Sequence, residues 1–446
     1  MAVRLAPSVL AHAINCPRAD ARAPATYNLR RVTNSSSRSR SVALVAICAL
    51  AVAAVGCGGA RPGVVVDGDQ LTVVTSAPLS GDLKIPGQAM VNGERLALAD
   101  ANGTVGAFTV SLMVLNSVQG QMKLASEARV ASNARAAVLS PNVIAYIGDY
   151  DSAATAISLP LTNQGGIVQI SPLSAYAGFT SSKQAGLDEP GRFYPSGRRT
   201  FFRLVPSQLR ETDAQAAIQA QQRCKSSFIA YSDSQLGKSS SDALAAALKA
   251  VSVGTAGSAA TSGQSSQVAS FAGRVERSGA DCLSLAGPLN LAAAQLLNRL
   301  IATTSSLKFF VGRGGDAAAF AENLSARAQR ATLVTGPGPD TSTLGSGGKA
   351  FVRRYRAQFG SDPGVAGLYG YAAMADVLDA IHRAGANGND RLSVLAALRQ
   401  TNRTSSVLGA YSYAANGDST LNGFTVSRIV GGQLVVAPSL TAAIAR

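Results

Sequence analysis

The 446-residue chain has no tryptophan, two histidines (His12 and His382), five cysteines and only 15% charged residues. So few imidazoles exclude zinc sites and proton relays built from several histidines. The composition, with 47% apolar residues and 44 glycines, also excludes collagen-like, coiled-coil, disordered and small disulfide-scaffold classes. A phosphate cradle is missing: Gly345-Ser346-Gly347-Gly348-Lys349-Ala350 lacks both the glycine spacing and a Ser or Thr after the lysine. It is expected to be a loop before a helix. Ser152 sits in Tyr150-Asp151-Ser152-Ala153-Ala154 rather than in a Gly-x-Ser-x-Gly elbow. His382, beside Arg383, falls where a positive charge meets the carbonyl end of a predicted helix. The sequence therefore assigns no catalytic residue, cofactor or metal, and the chain reads as non-enzymatic.

What the chain does have begins with an N-terminal targeting pattern. Residues 1–40 carry seven arginines against the single acid Asp20, and Ser41 to Gly56 then runs sixteen residues without a charge. The run ends in Ala54-Val55-Gly56-Cys57, small residues before a thiol that can take a lipid. This resembles a bacterial lipoprotein signal, with residues 1–56 removed and Cys57 lipidated. The competing reading is an uncleaved anchor, since Ser41 to Ala60 reaches twenty uncharged residues. Either reading puts the remainder outside the cytoplasm. Removing residues 1–56 leaves 33 basic and 24 acidic residues, a net +9 in place of +15. The densest basic cluster, Arg353-Arg354-Tyr355-Arg356, is the wet side of a predicted helix whose other side carries Phe351, Val352 and Phe359. No nucleic-acid motif accompanies it, so no nucleic-acid partner is expected.

Cysteine usage fits export. Cys16 and Cys48 leave with the presequence, and Cys224 and Cys282 remain. Each opens an apolar run, so two adjacent parallel strands would bring the thiols within bridging distance, while two buried free thiols are the other reading.

From Leu71 onward, short apolar runs alternate with helical patterns. The runs are Leu71–Ser76, Ser111–Leu115, Val143–Gly148, Ile167–Ile170, Phe228–Ser232, Cys282–Leu285, Leu307–Gly312 and Ala331–Thr335. They lack strict alternation, as strands covered on both faces do, which makes the fold class α/β. Ala89–Asn102 and the stretch containing Met374, Val377, Leu378 and Ile381 have helical spacing and stop at Gly103 and Gly385. Ser181–Arg199 reads as a surface excursion. Ser252–Ser266, almost all Ser, Gly, Ala and Thr, fits a flexible loop or a weak strand.

Leu71-Thr-Val-Val-Thr-Ser-Ala-Pro-Leu-Ser-Gly81, followed by Gly87 and Asn92-Gly93, resembles the opening of the branched-chain amino-acid binding proteins of ABC importers. Three further blocks extend the resemblance: Tyr146 to Thr155 with Gly166 to Pro172, Thr200 to Pro206, and Tyr369-Gly370-Tyr371. It implies a type I periplasmic binding protein, or Venus-flytrap, fold. Two Rossmann-like lobes with mostly parallel sheets are joined by three crossovers, expected near Pro206, Gly336 and Leu408. The implied organisation is a lipidated cysteine and tether at 57–70, lobe 1 at 71–205 and 337–407, lobe 2 at 206–336 and 408–436, and a tail at 437–446.

The resemblance also implies a ligand site. Ser152, with Ala153, opens a helix after a strand, where free N–H groups favour an anion; in the family this position binds the ligand's carboxylate. A plain helix cap is the competing role for Ser152. Leu173 offers a backbone carbonyl, while Ala175 replaces a threonine, Leu236 a tyrosine, and Gly314 the acid that meets the ligand's ammonium group. Ser174, Tyr176 and Asp151 are candidate substitutes. With these departures the ligand is expected to be a small polar molecule, amino-acid-like, amide or carboxylate, rather than leucine, isoleucine or valine. The implied partners are that ligand, ABC permease and ATPase subunits, and a membrane through the lipid anchor; a single-chain clamp needs no second subunit, so a monomer is expected. A ligand-sensing subunit of a signalling system is the alternative on the same fold, and a scaffold with an empty crevice is a third.

Overall fold

Apolar runs without alternation form sheets buried on both faces, and each lobe is built around one. The computed structural model describes residues 65–444 except 123, 262–263, 288, 313–316 and 340. The chain runs β1 (Gln70–Ala77), α1 (Lys84–Asp100), β2 (Thr104–Val105), β3 (Phe108–Asn116), α2 (Glu127–Leu139), β4 (Val143–Ile147), α3 (Ser152–Gln164), β5 (Val168–Ser171) and β6 (Phe201–Arg203). It continues through α4 (Gln208–Gln221), β7 (Ser226–Ser232), α5 (Gln235–Ala250), β8 (Gly254–Thr261), α6 (Val268–Arg277), β9 (Cys282–Ala286), α7 (Leu291–Thr303), β10 (Lys308–Gly312), α8 (Ala317–Glu322), α9 (Ala326–Ala331) and β11 (Thr332–Pro337). Next come α10 (Ser346–Phe359), α11 (Gly364–Ala384), α12 (Arg391–Arg399), β12 (Asn402–Arg403) and β13 (Tyr411–Ser412). The last elements are β14 (Phe424–Val430), β15 (Gln433–Val436) and α13 (Pro438–Ile444).

The first sheet has the order β2-β3-β1-β4-β5-β6, and the second β15-β14-β11-β10-β9-β7-β8. Pairing is parallel except at the edges, where β2 with β3, β11 with β14 and β14 with β15 are antiparallel. Lobe 1 covers its sheet with α1 and α11, which pack almost backbone to backbone. A Cβ on Gly93 would fall 2.1 Å from the Gly367 carbonyl oxygen, and one on Gly370 would fall 2.2 Å from that of Met90. Only glycine permits that approach. In lobe 2, register places Ser227 opposite Cys282. Cys224, just before β7, thus reaches Cys282 at the start of β9, and the two form a disulfide with Cα atoms 5.9 Å apart.

Three chain crossings join the lobes and are hydrogen-bonded to one another. Arg203 N–H donates to Gly417 O at 3.0 Å, and Ser419 N–H to Arg203 O at 3.1 Å. Gly338 N–H donates to Gly423 O at 2.9 Å, and the Thr425 hydroxyl to Gly338 O at 2.7 Å. The wholly buried Arg203 side chain binds Asp418 at 2.6 Å and the Tyr176 carbonyl at 2.6 Å.

Several expectations about boundaries need correction. The third crossing lies near 420–423 rather than at Leu408, because Tyr411 and Tyr413 belong to the lobe 1 core and both donate to Asp376 Oδ2, at 2.9 and 2.7 Å. The stretch beyond 437 is not a loose tail: α13 buries Leu440 against lobe 2. Residues assigned to the tether already belong to lobe 1 from Val66, which is buried and donates from its backbone to Asn389 O. Ser346 to Ala350 is helix rather than loop, with Gly345 at the N-cap. The excursion at 181–199 is anchored by Phe193 and Tyr194, which are buried beside Phe179 and Phe201. Of the two readings of Ser252–Ser266, the structure has the strand: β8 is paired along its length with β7. The signal segment and Cys57 lie outside the described residues. Among those described, no helix is long and apolar enough to cross a membrane, and no group of side chains is suited to hold a metal.

Candidate ligand-binding cleft

In open α/β sheets, ligands gather beyond the carboxyl ends of the strands, where strand order reverses. The order reverses between β1 and β4 in lobe 1, and between β7 and β9 in lobe 2. Both reversals open on one cleft of about 340 Å³. Lobe 1 contributes Asp151, Ser152, Ala153, Ala175 and Tyr176; lobe 2 contributes Ser232, Leu236, Gly287 and Gly312, each near the end of a strand or the start of a helix. The remaining polar wall comes from α4, where Gln208, Glu211, Thr212 and Gln215 recur at helical spacing on one face.

The lobe 1 wall is held by a buried polar network. Ser171 Oγ donates to Asp149 O at 2.7 Å and accepts from Ser174 N–H at 3.0 Å. Thr155 Oγ1 and Ser174 Oγ lie 2.5 Å apart, and Asp149 N–H donates to Thr155 Oγ1 at 3.2 Å. Gln169 Nε2 donates to Gly148 O at 2.9 Å and to Ser158 Oγ at 2.8 Å. Tyr146 donates to the Asp149 carboxylate at 3.2 Å. Burial pushes the Asp149 carboxyl up to about 7, against the hydrogen bonds that favour its charged form. These bonds fix the 149–152 and 171–176 turns relative to each other.

The N-terminus of α3 is not an open anion seat. Asp151, not Ser152, is the N-cap, and its carboxylate accepts from Ala154 N–H at 2.9 Å. Its pKa is raised by burial, while those backbone bonds pull the other way. Ser152 is the first helical residue; its Oγ accepts from Tyr176 N–H at 3.2 Å, which leaves the hydroxyl proton to donate into the cleft. The plain-cap role for Ser152 is thereby corrected, since the cap belongs to its neighbour.

The predicted site residues separate into groups. Ser152, Ala153, Ala175 and Leu236 line the cleft. Leu173 lines an adjoining compartment of about 440 Å³, largely apolar, which shares Asp151, Ser152 and Ala175 with the cleft. Ser174 is wholly buried, and its hydroxyl is committed to Thr155 and Asp149. Gly314 lies outside the described residues. The α4 residues were not anticipated. Their sequence signal was a stripe of Gln, Glu and Thr recurring at helical spacing where an apolar face was needed.

Glu211 is the unusual member of that stripe. Gly312 makes room for it: a Cβ there would lie 3.0 Å from Glu211 Oε1 and 3.3 Å from Gln215 Nε2. Desolvation in the cleft pushes its carboxyl up to about 7, with no opposing hydrogen bond or cation among the described residues. On the other side of the cleft, the Tyr176 hydroxyl turns away and donates to buried Glu189.

Comparison with known proteins agrees with this architecture. A family model described as periplasmic binding protein matches residues 70–433. Among solved structures, a leucine-binding protein, LivK, from Thermotoga maritima superposes with a TM-score of 0.68 at 18% identity, covering 82% of this chain and 97% of that one. The branched-chain amino-acid binding protein LivJ from Streptococcus pneumoniae, in complex with isoleucine, gives 0.66 at 17%, covering 82% and 99%. An ABC-transporter solute-binding protein from Rhodopseudomonas palustris HaA2, in complex with p-hydroxybenzoic acid, gives 0.67 at 16%, covering 82% and 95%. No curated protein matches. At these identities the structures share the type I periplasmic binding protein fold, and the family match over most of its length makes this chain a member of the periplasmic binding protein family.

Proposed function

We propose that the protein is the solute-binding component of an ABC importer, working outside the cytoplasm and held at the membrane by lipid on Cys57. It captures a small polar molecule between its lobes and presents the closed form to a permease. The observation that carries this reading is the cleft itself, at the facing strand ends of two hinged sheets, with polar side chains supplied from both sides. Closure requires a ligand that binds the closed form better than the open one. Ser152 contributes a hydroxyl donor from lobe 1, and the backbone around Ala153 and Ala175 shapes the seat. The adjoining apolar compartment admits a hydrocarbon portion of the ligand. The sequence carries no catalytic constellation, and binding and release are the whole proposed activity.

The test is a thermal-shift screen of the protein against amino acids, amides, amines and organic acids. A ligand at a hundred times its dissociation constant adds about 2.7 kcal/mol to stability. A broad library in which nothing stabilises the protein would remove the solute-binding reading. For the import role, a strain lacking the protein should lose uptake of the stabilising compound; undiminished uptake would point to sensing instead.

A further inference from the structure

The electrostatics of the cleft narrow the class of ligand. Its two ionisable acids, Asp151 and Glu211, come from opposite lobes, and no lysine, arginine or histidine is found among its described lining residues. Asp151 already occupies the amide end of α3, so a ligand carboxylate placed there would meet a carboxylate rather than free N–H groups. The Glu211 carboxylate has no hydrogen-bond or ion-pair partner among the described residues, although Gln208, one turn earlier on α4, is bonded to Ser239 at 3.0 Å. With no side chain at Gly312, the Glu211 carboxylate lies close against the end of β10, where a Cβ would crowd it. An acid held in a partly desolvated cleft with no counter-charge among the described residues is costly unless a cation arrives with the ligand.

We propose that Glu211 is the specificity-determining residue of the cleft and that it selects a small organic amine, a cation without a free carboxylate. The proposal rests on the solute-binding reading and sharpens it. The ammonium group sits on the cleft side of the Glu211 carboxylate, where it forms a charge-assisted hydrogen bond with it. The rest of the ligand points toward Ser152 and the apolar compartment beside it. The upward shift that burial gives the Glu211 carboxyl is offset when the amine binds, because the positive charge favours the ionised acid.

The experiment is a thermal-shift and calorimetric comparison of size-matched pairs: benzylamine with benzoate, leucinamide with 4-methylpentanoate, and putrescine with succinate. The full protein is compared with Glu211→Gln and Gly312→Ala. At least one amine should raise the melting temperature of the wild type by about 2 °C or more at saturation, while its paired acid leaves it unchanged. Glu211→Gln should weaken that amine roughly ten- to hundredfold, and Gly312→Ala should weaken it by crowding the carboxylate. Stabilisation by the acids instead, or an amine preference that survives Glu211→Gln, would overturn the assignment of Glu211 while leaving solute binding intact. If neither an amine nor an acid, nor any compound of the broad screen, stabilises the protein, the solute-binding reading fails together with this one.

Discussion

The two walls of the cleft are built on opposite principles. On the lobe 1 side, polar groups are satisfied before any ligand arrives: Ser171, Ser174, Thr155 and Gln169 tie the 149–152 and 171–176 turns together, and Asp151 caps α3. On the lobe 2 side, α4 presents Glu211 without a partner among the described residues. A satisfied wall gives shape and is rigid; an unsatisfied one gives differential affinity, because its polar group gains most from an incoming partner. Preorganisation thus resides in lobe 1 and selectivity in lobe 2.

The largest effect expected from breaking this contrast is in the satisfied wall. Ser171→Ala removes a hydroxyl that both donates to Asp149 O and accepts from Ser174 N–H, leaving the buried Ser174 N–H unpaired and Asp149 O with only the longer bond from Ser174 Oγ at 3.3 Å. It should destabilise the protein by about 1–3 kcal/mol, read from urea denaturation; a loss under 0.5 kcal/mol would mean the network is not structural. The opposite wall should respond with the opposite sign. Glu211→Gln removes a desolvated charge and should stabilise the ligand-free protein by roughly 1 kcal/mol above pH 7, a figure reduced for the partial exposure of the side chain. Destabilisation would show that the carboxylate has a structural partner.

The pH profile sharpens the same point. Glu211 and Asp149 both sit near 7 in the folded chain, above the range of an unfolded carboxyl. Between about pH 4 and 7 the folded chain therefore holds protons that the unfolded chain has released. Stability should fall as pH rises through that window and level off above it. The fall should be shallower in Glu211→Gln, with Asp151 and Tyr176, the other titratable groups facing the cleft, left in place. Equal slopes in the two proteins would remove Glu211 from the account. The smallest change is Ser152→Ala, which costs one part-buried hydrogen bond from Tyr176 N–H and should alter stability by less than about 1 kcal/mol. It should still weaken an acceptor-bearing ligand severalfold; unchanged affinity would place the ligand away from α3.

The same contrast explains what was legible in the amino-acid sequence. Strand β4 announces itself because burial on both faces demands uninterrupted apolar residues, as in Val143-Ile144-Ala145-Tyr146-Ile147. Strand β8, Gly-Thr-Ala-Gly-Ser-Ala-Ala-Thr, lies at the sheet edge and carries no such signal. The hairpin of β14 and β15 was also missed, being antiparallel and appended after the last crossing. At the site, the α3 turn was readable to within one residue, and Ser152 stood in for the true cap, Asp151. The burial of Ser174 in the wall network was not readable, because loop sequence does not reveal which hydroxyl turns inward. Glu211 was invisible for a different reason: a glutamate on a polar helix face reads as solvated until tertiary packing shows that α4 turns this face into the cleft.

The most direct test of the account is whether the two walls move together on a guest. Small-angle scattering of the full protein, alone and saturated with the compound that stabilises it most, should show a smaller radius of gyration in the bound state. Saturated binding with superimposable scattering curves would contradict hinge closure.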